Sequence, residues 1–369
     1  MREGWSKRKI EEIATITMGQ SPSGNSINET EGVEFHQGKI YFGEKYINES
    51  HFYTSEPIRI AEPNSLLLCV RAPIGVVNMT ARKICIGRGL CSIKANDSIH
   101  SNFLYYALRS QKDYFNKNAT GSTFLAISSN VVKDTQISFP SKDKQIQIAS
   151  ELDKITEMIS KYDEQLKELD KLSQSIFYEM FGDPVENEKG WEVKIISDVS
   201  TYFNGVAHEQ DIDDDGEYTL INSKFISTNG KVQKRTNKQR FPLLKNDLTM
   251  VLSDVPNGKA LAKCYLVNED NKYSLNQRIC CFRGYEGAPL FFKYVVNRHQ
   301  YFLSFNDGKG QTNLRKGDVE KMPIILPPLP LQQSFARKIE AIEAMKSKVR
   351  EAKKEAETLL AARMQYWFE

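Results

Sequence analysis

The feature that most constrains this chain is that it is written twice. Trp5, Ile10, Ile13 and Gly19 recur as Trp191, Ile196, Val199 and Gly205, each displaced by 186 positions, and a glycine (Gly4, Gly190) precedes both tryptophans. Gln37–Gly38–Lys39–Ile40 then matches Asn222–Ser223–Lys224–Phe225, and Asn64–Ser65–Leu66 matches Asn246–Asp247–Leu248. Phe103–Leu104 and Tyr114–Phe115 reappear as Leu290–Phe291 and Tyr301–Phe302. Gly121, Val132, Ile137, Pro140 and Gln145 close the series against Gly308, Val319, Ile324, Pro327 and Gln332. The order never breaks, and a chain repeated in this way folds as two similar units.

Each copy reads as a mixed domain followed by a long helix. Short β-like runs (65–70, 83–86, 248–252, 278–282) are separated by Gly, Pro and Asn turns, and one amphipathic helix falls late in each domain (102–116, 289–302). Pro140 and Pro327–Pro328–Leu329–Pro330 act as stiff elbows. After the first elbow, Ile148, Leu152, Ile155, Ile159, Tyr162, Leu166, Leu169 and Ile176 alternate steps of four and three, a coiled-coil seam that ends at Gly182–Asp183–Pro184. About 40 such residues make a rod of roughly 60 Å. The second seam is Phe335, Ile339, Ile342, Val349, Ala356 and Leu360, with Lys346 and Lys353 interrupting it. A lone helix with such a stripe is unstable, and the partner nearest to hand is the other copy's helix. The expected architecture is α+β: a domain over residues 1–140, a helical spacer over 141–182, a second domain over 183–328 and a second spacer over 329–369.

A net charge of +3 excludes a generic polycation, but the charge is unevenly placed. Between residues 66 and 96 stand five basic residues (Arg71, Arg82, Lys83, Arg88, Lys94) and no acid. Between 231 and 245 stand six (Lys231, Lys234, Arg235, Lys238, Arg240, Lys245), again with no acid. One such run reads as a solvated face, whereas two at related places in a repeat point to a polyanion. Gly87–Arg88–Gly89 and Gly308–Lys309–Gly310 join glycine to basic residues, as close approach to phosphates requires. Gln311, Asn313, Arg315 and Lys316 are of the types that read base edges, and Lys117 and Ser122 stand beside Gly121 at the matching place in copy one.

Catalytic constellations are missing from the sequence. The Pro–Pro pair at 327–328 is flanked by leucines, so it is not the Asn/Asp–Pro–Pro–aromatic loop that holds a flipped adenine. No Gly–Lys is followed by Ser or Thr, which excludes a phosphate-binding P-loop. Asp183 with Glu192 and Lys194 resembles a nuclease triplet, but copy one has Ser6 at the place of Glu192. Asp211, Asp213, Asp215 and Gly216 start like a calcium loop whose twelfth position is Asn222 instead of Glu, so the segment reads as an acidic surface turn. Six cysteines without a C-x-x-C pair read as buried thiols and not as a metal site. No apolar run is long enough for a membrane helix and the first residues hold no signal core, so a cytoplasmic protein is expected.

The doubled series Trp5/Trp191, Gly19/Gly205, Gly121/Gly308, Pro140/Pro327 and Gln145/Gln332 resembles the specificity subunit of type I restriction–modification enzymes, over nearly the whole chain. The resemblance implies two target recognition domains, each reading half of a split site in double-stranded DNA, with the two helical spacers packed antiparallel. It also implies two methyltransferase subunits docked on those helices and a joining motor–nuclease subunit. S-adenosylmethionine, ATP and Mg2+ then belong to the partner subunits, and this chain binds no cofactor and catalyses nothing by itself. Copy one departs from copy two, having Phe124–Leu125–Ala126 where copy two has Gln311–Thr312–Asn313, so the halves should read different sequences. A coiled-coil scaffold for proteins, without DNA, explains the rod and the repeat but not the two acid-free stretches.

Overall fold

The repeat in the sequence becomes a repeat in strand order, seen in a computed structural model that describes residues 2–121 and 125–369. Two compact units account for the chain: Met1–Asp163 together with Glu351–Glu369, and Glu164–Arg350. The unit boundaries fall within the two long helices, after Asp163 in one and before Glu351 in the other.

In the first unit, strand Ser6–Lys9 pairs antiparallel with Gln136–Phe139, which fastens the start of the copy to its end. Between them lies an antiparallel sheet in the order Ala14–Met18, Leu90–Ala95, Ser65–Cys69, Val77–Thr80. A second sheet of five short strands is built around a parallel pair, Val33–His36 with Ile84–Ile86. The run Leu66–Leu67–Leu68–Cys69 looks uniformly apolar because both faces of its strand are covered. Leu66 and Leu68 enter one core, beside Phe103, Leu104 and Leu108 of helix Ser101–Ser110, while Leu67 and Cys69 enter another with Ile84 and Ile86.

The second unit repeats this plan. Glu192–Ile195 pairs with Pro323–Leu326, and the antiparallel sheet runs Thr201–Asn204, Ile279–Arg283, Leu248–Val251, Cys264–Leu266. Tyr218–Ile221 and Tyr273–Leu275 form the parallel pair. Leu248 and Met250 face a core shared with helix Pro289–Val296, while Val251 joins Leu220's neighbour Ile221 and Leu275 in a separate one.

Helices Lys142–Phe181 and Leu329–Phe368 are 40 residues each. Inside the first unit Lys353 reaches Asp163 (2.6 Å), while Arg363 and Trp367 both reach Glu151. Numbers fall on one helix as they rise on the other, so the segments are antiparallel. Inside the second unit Lys346 meets Asp170 (2.7 Å) and Phe335 meets Phe177 and Phe181, again antiparallel. Ile148, Leu152, Ile155, Phe335, Ile339, Ile342 and Val349 are buried, whereas Ile159, Leu166 and Leu169 are half-buried. The two lysines that interrupt the second seam are thus neutralised by carboxylates, and Lys346 is buried with Asp170 and Glu343 on its ammonium. Among the described residues no helix is long and apolar enough to cross a membrane, and all six cysteines are free.

The Pro-x4-Gln motif at each elbow has a structural reason. Gln145 is buried, donates from Nε2 to Pro140 O (2.9 Å) and accepts the His100 N–H at Oε1 (2.7 Å). Gln332 does the same with Pro327 O (2.8 Å) and the Ala288 N–H (3.1 Å), and also accepts the Tyr285 hydroxyl (3.0 Å). One amide thus joins the carbonyl of the elbow proline to the N-cap N–H of the domain helix. Gln332→Leu should strip these buried partners and cost about 1–3 kcal/mol. Urea unfolding followed by circular dichroism checks this, and an unchanged midpoint would refute it.

Candidate nucleic-acid interface

Four loops in each unit are stitched side by side by backbone hydrogen bonds, in the same order. In the first unit the parallel strands end at His36 and Ile86; the Gly87 N–H then donates to His36 O (2.8 Å) and the Gly89 N–H to Gln37 O (3.1 Å). The Val70 N–H donates to Gly89 O (3.0 Å), and the Ile127 N–H to Val70 O (3.0 Å). In the second unit the Asn276 N–H donates to Ile221 O (3.1 Å), the Leu252 N–H to Arg278 O (3.1 Å) and the Leu314 N–H to Leu252 O (2.8 Å). Arg71 pairs with Ala126 at one edge, and Ser253 with Asn313 at the other unit's equivalent edge. Three of the four loops follow strands and the fourth follows a helix (Lys112–Lys117, Gln300–Leu303), and the stitching to the sheet fixes where their exposed side chains stand.

The glycines serve this stitching. A Cβ on Gly19 would lie 2.1 Å from Gly87 O, and one on Gly205 would lie 2.0 Å from Asn276 O. A Cβ on Gly89 would lie 2.4 Å from Gln37 O. Gly87–Arg88–Gly89 is therefore dictated by close approach to the protein's own backbone, and it leaves the Arg88 side chain exposed at the turn.

The basic residues divide into those free at this edge and those engaged elsewhere. Arg71 and Arg88 are exposed at adjoining loops, and among the described residues neither side chain has a hydrogen-bond or ion-pair partner. Lys117 is exposed at the end of helix Lys112–Lys117, just before Thr120, which bridges to Ala126. Ser122 lies outside the described residues. In the second unit Lys309, Gln311, Asn313 and Arg315 are exposed along one loop, with Gln311 Nε2 near Asn313 Oδ1 (3.5 Å). Asp254 and Asp307 also lie here, but both carboxylates accept backbone N–H groups of their own loops.

Arg82 stands apart. Its guanidinium grips Glu34 and donates to Ile47 O (3.1 Å) and Asn48 O (3.0 Å). Burial pushes the Glu34 carboxyl up, yet Arg82, the Ser50 N–H and the His36 ring together hold it below the ordinary carboxylate value. Lys83 is exposed at the opposite end of strand Ile84–Ile86 from Arg88. The stretch 231–245 is split in the same way. Arg235 donates to Gly216 O (2.7 Å) and Glu217 O (3.2 Å), while Lys238 and Arg240 both meet Asp211. The acidic turn is thus the internal counter-charge of the basic stretch, and Asp213 accepts from Asn237 (2.6 Å) beside it. Lys231 and Lys234 remain exposed, with Lys234 opposite Leu220 in the hairpin.

Three cations at the stitched edges went unread in the sequence. Lys39 and Lys224 leave the parallel strands at equivalent places, and Arg278 follows the turn that matches Gly87–Arg88–Gly89; all three are exposed. The repeat alignment pairs Lys39 with Lys224, which was the available signal. Arg278 had none, because a glycine occupies its place in copy one.

The sequence model of the family described as "Type I restriction modification DNA specificity domain" matches this chain twice, at residues 2–171 and 188–357. A putative type I restriction enzyme MjaX specificity subunit of Methanocaldococcus jannaschii is 36% identical over 168 residues, which is 45% of this chain and 39% of that protein. The type I restriction enzyme MjaIX specificity subunit of the same organism is 25% identical over 90% of this chain and 85% of its own length. Among solved structures, the type I restriction–modification S subunit of M. genitalium superposes with a TM-score of 0.58 at 14% identity, covering 98% of this chain and 95% of that one. A chain from a structure on the assembly and conformational transition of the type I system reaches 0.62 at 14% identity, covering 100% and 98%. At these identities the two superpositions speak for the fold alone.

Proposed function

The chain belongs to the family of type I restriction–modification DNA specificity proteins, and from that premise we propose that it reads a bipartite DNA target and brings partner enzymes to it. The observation that carries this reading is the doubled edge. Two units of one fold each present stitched loops bearing cations and polar side chains, and Asp254 and Asp307 in those loops are engaged by backbone N–H groups. Cations neutralise phosphates and steer encounter, which makes affinity salt-dependent. Polar side chains such as Gln311 and Asn313 then meet base edges.

Chemistry falls to the partners: two methyltransferase subunits seated on the helical regions, and motor–nuclease subunits that join them. S-adenosylmethionine, ATP and Mg2+ act there. The specificity chain holds the duplex while a methyltransferase flips and modifies an adenine in each half-site.

The test is co-expression with the neighbouring methyltransferase, followed by single-molecule mapping of modified adenines. A split motif with a fixed spacer should appear and vanish when this chain is deleted. Four residues inserted into helix Lys142–Phe181, on the order of 6 Å, should lengthen that spacer by about 1–2 base pairs. No modification, with no co-purification, would favour a protein scaffold instead.

A further inference from the structure

We propose that Ile40 reads a thymine methyl group in the half-site met by the first unit. This inference rests on the DNA-reading function above. Ile40 is 84% exposed, and among the described residues no other large apolar side chain comes near it; Val255 follows at 63%. An isoleucine held in water this completely contributes nothing to the core, so the fold itself does not require it.

The repeat supplies an internal control. Ile40 matches Phe225 of copy two, which is 2% exposed and packs on Tyr265 and Tyr273 (ring centroids 4.9 and 6.0 Å). There the segment is a helix, Ser223–Ser227, whose Asn222 cap accepts the Phe225 N–H (2.8 Å) and turns the ring inward. In copy one the segment is a single 3-10 turn, Lys39–Tyr41, with no side-chain cap. Tyr41 is then the anchor, packed edge-on to His36 (5.5 Å) and His51 (5.9 Å), and Ile40 points out. The same place in the fold is core in one unit and surface in the other.

Its surroundings select the occupant. Ile40 follows Gly38 and Lys39 directly, and Gln37 O receives the Gly89 N–H (3.1 Å), so the turn adjoins the Arg88 loop. Neither Lys39 nor Arg88 has a side-chain hydrogen bond or ion pair among the described residues. A lone aliphatic tip that follows Lys39 on a turn adjoining the Arg88 loop suits a polyanion that carries apolar groups at its recognition edge. In the major groove that group is the thymine C5-methyl.

The experiment uses the full chain with its methyltransferase and fluorescence anisotropy on a duplex carrying the mapped target. Companion duplexes replace the thymines of one half at a time by deoxyuridine, which removes only the methyl group. The wild type should bind one of these companions about five- to tenfold more weakly than the parent. Ile40→Ser, a change at a solvent-facing position, should already be weaker by that factor on the parent and indifferent to deoxyuridine in that half. A variant that binds the parent as tightly as wild type overturns the proposal. So does a variant that loses the same factor again on deoxyuridine. In either case a wild type that still prefers its target to a scrambled duplex leaves the DNA-reading function standing, whereas no such preference removes both.

Discussion

Replacing Arg71 and Arg88 together by glutamate is expected to weaken binding of the mapped target roughly 100-fold at about 0.15 M salt. Both side chains are exposed at adjoining stitched loops and neither makes an internal ion pair, so nothing in the fold is lost. Each charge reversal removes one attraction to phosphate and installs one repulsion. The slope of log K against log salt should flatten by about two, because two counterion-releasing contacts are gone. Lys83→Glu, at the far end of the same strand as Arg88, serves as the control and should change affinity little. Equal losses from Lys83→Glu and from the double variant would mean that only net charge matters and that the stitched edge has no special place.

Phe335→Ala should be the most destabilising single change in the second unit, at about 3–5 kcal/mol. Phe335 is fully buried, with ring centroids 5.7 Å from Phe177, 5.3 Å from Phe181 and 5.0 Å from Tyr294. It therefore joins both long helices to helix Pro289–Val296 within one core. Truncation leaves a cavity among rings that cannot collapse into it. Because a chain of two units need not unfold in one step, the readout is amide hydrogen exchange in helix Pro289–Val296. Its protection should fall by two orders of magnitude or more. Leu172→Ala, at a 47% exposed position on the first long helix, should stay within about 0.5 kcal/mol. Protection unchanged in Phe335→Ala would show that this core does not depend on the helix pairing.

The repeat and the seams were legible because they are local patterns: spacing in one helix, and the same residues at a fixed displacement. The engaged cations were not. Arg82 is answered by Glu34, and Lys238 and Arg240 by Asp211, carboxylates 48, 27 and 29 positions away. An acid-free window in sequence says nothing about acids brought in by strand pairing. Gly87 and Gly89 were visible as a tight turn, but whether a glycine makes room for a phosphate or for the chain's own backbone depends on what Gly19 and Gln37 do nearby. Gln145 and Gln332 stood out as a repeated motif, yet their reason is a buried amide between two segments that meet only in the folded unit. Ile40 and Phe225 align in sequence, and a single capping residue, Asn222, sends the two side chains opposite ways.

That each unit owns one half of the target is tested most directly by mapping modified adenines after replacing Lys309, Gln311, Asn313 and Arg315 together by alanine. These four side chains are exposed on the glycine-bearing loop of the second unit. The expected result is a motif in which one half loses its sequence requirement while the other half and the spacer persist. A motif unchanged in both halves, or one lost in both while the complex still assembles, would contradict it.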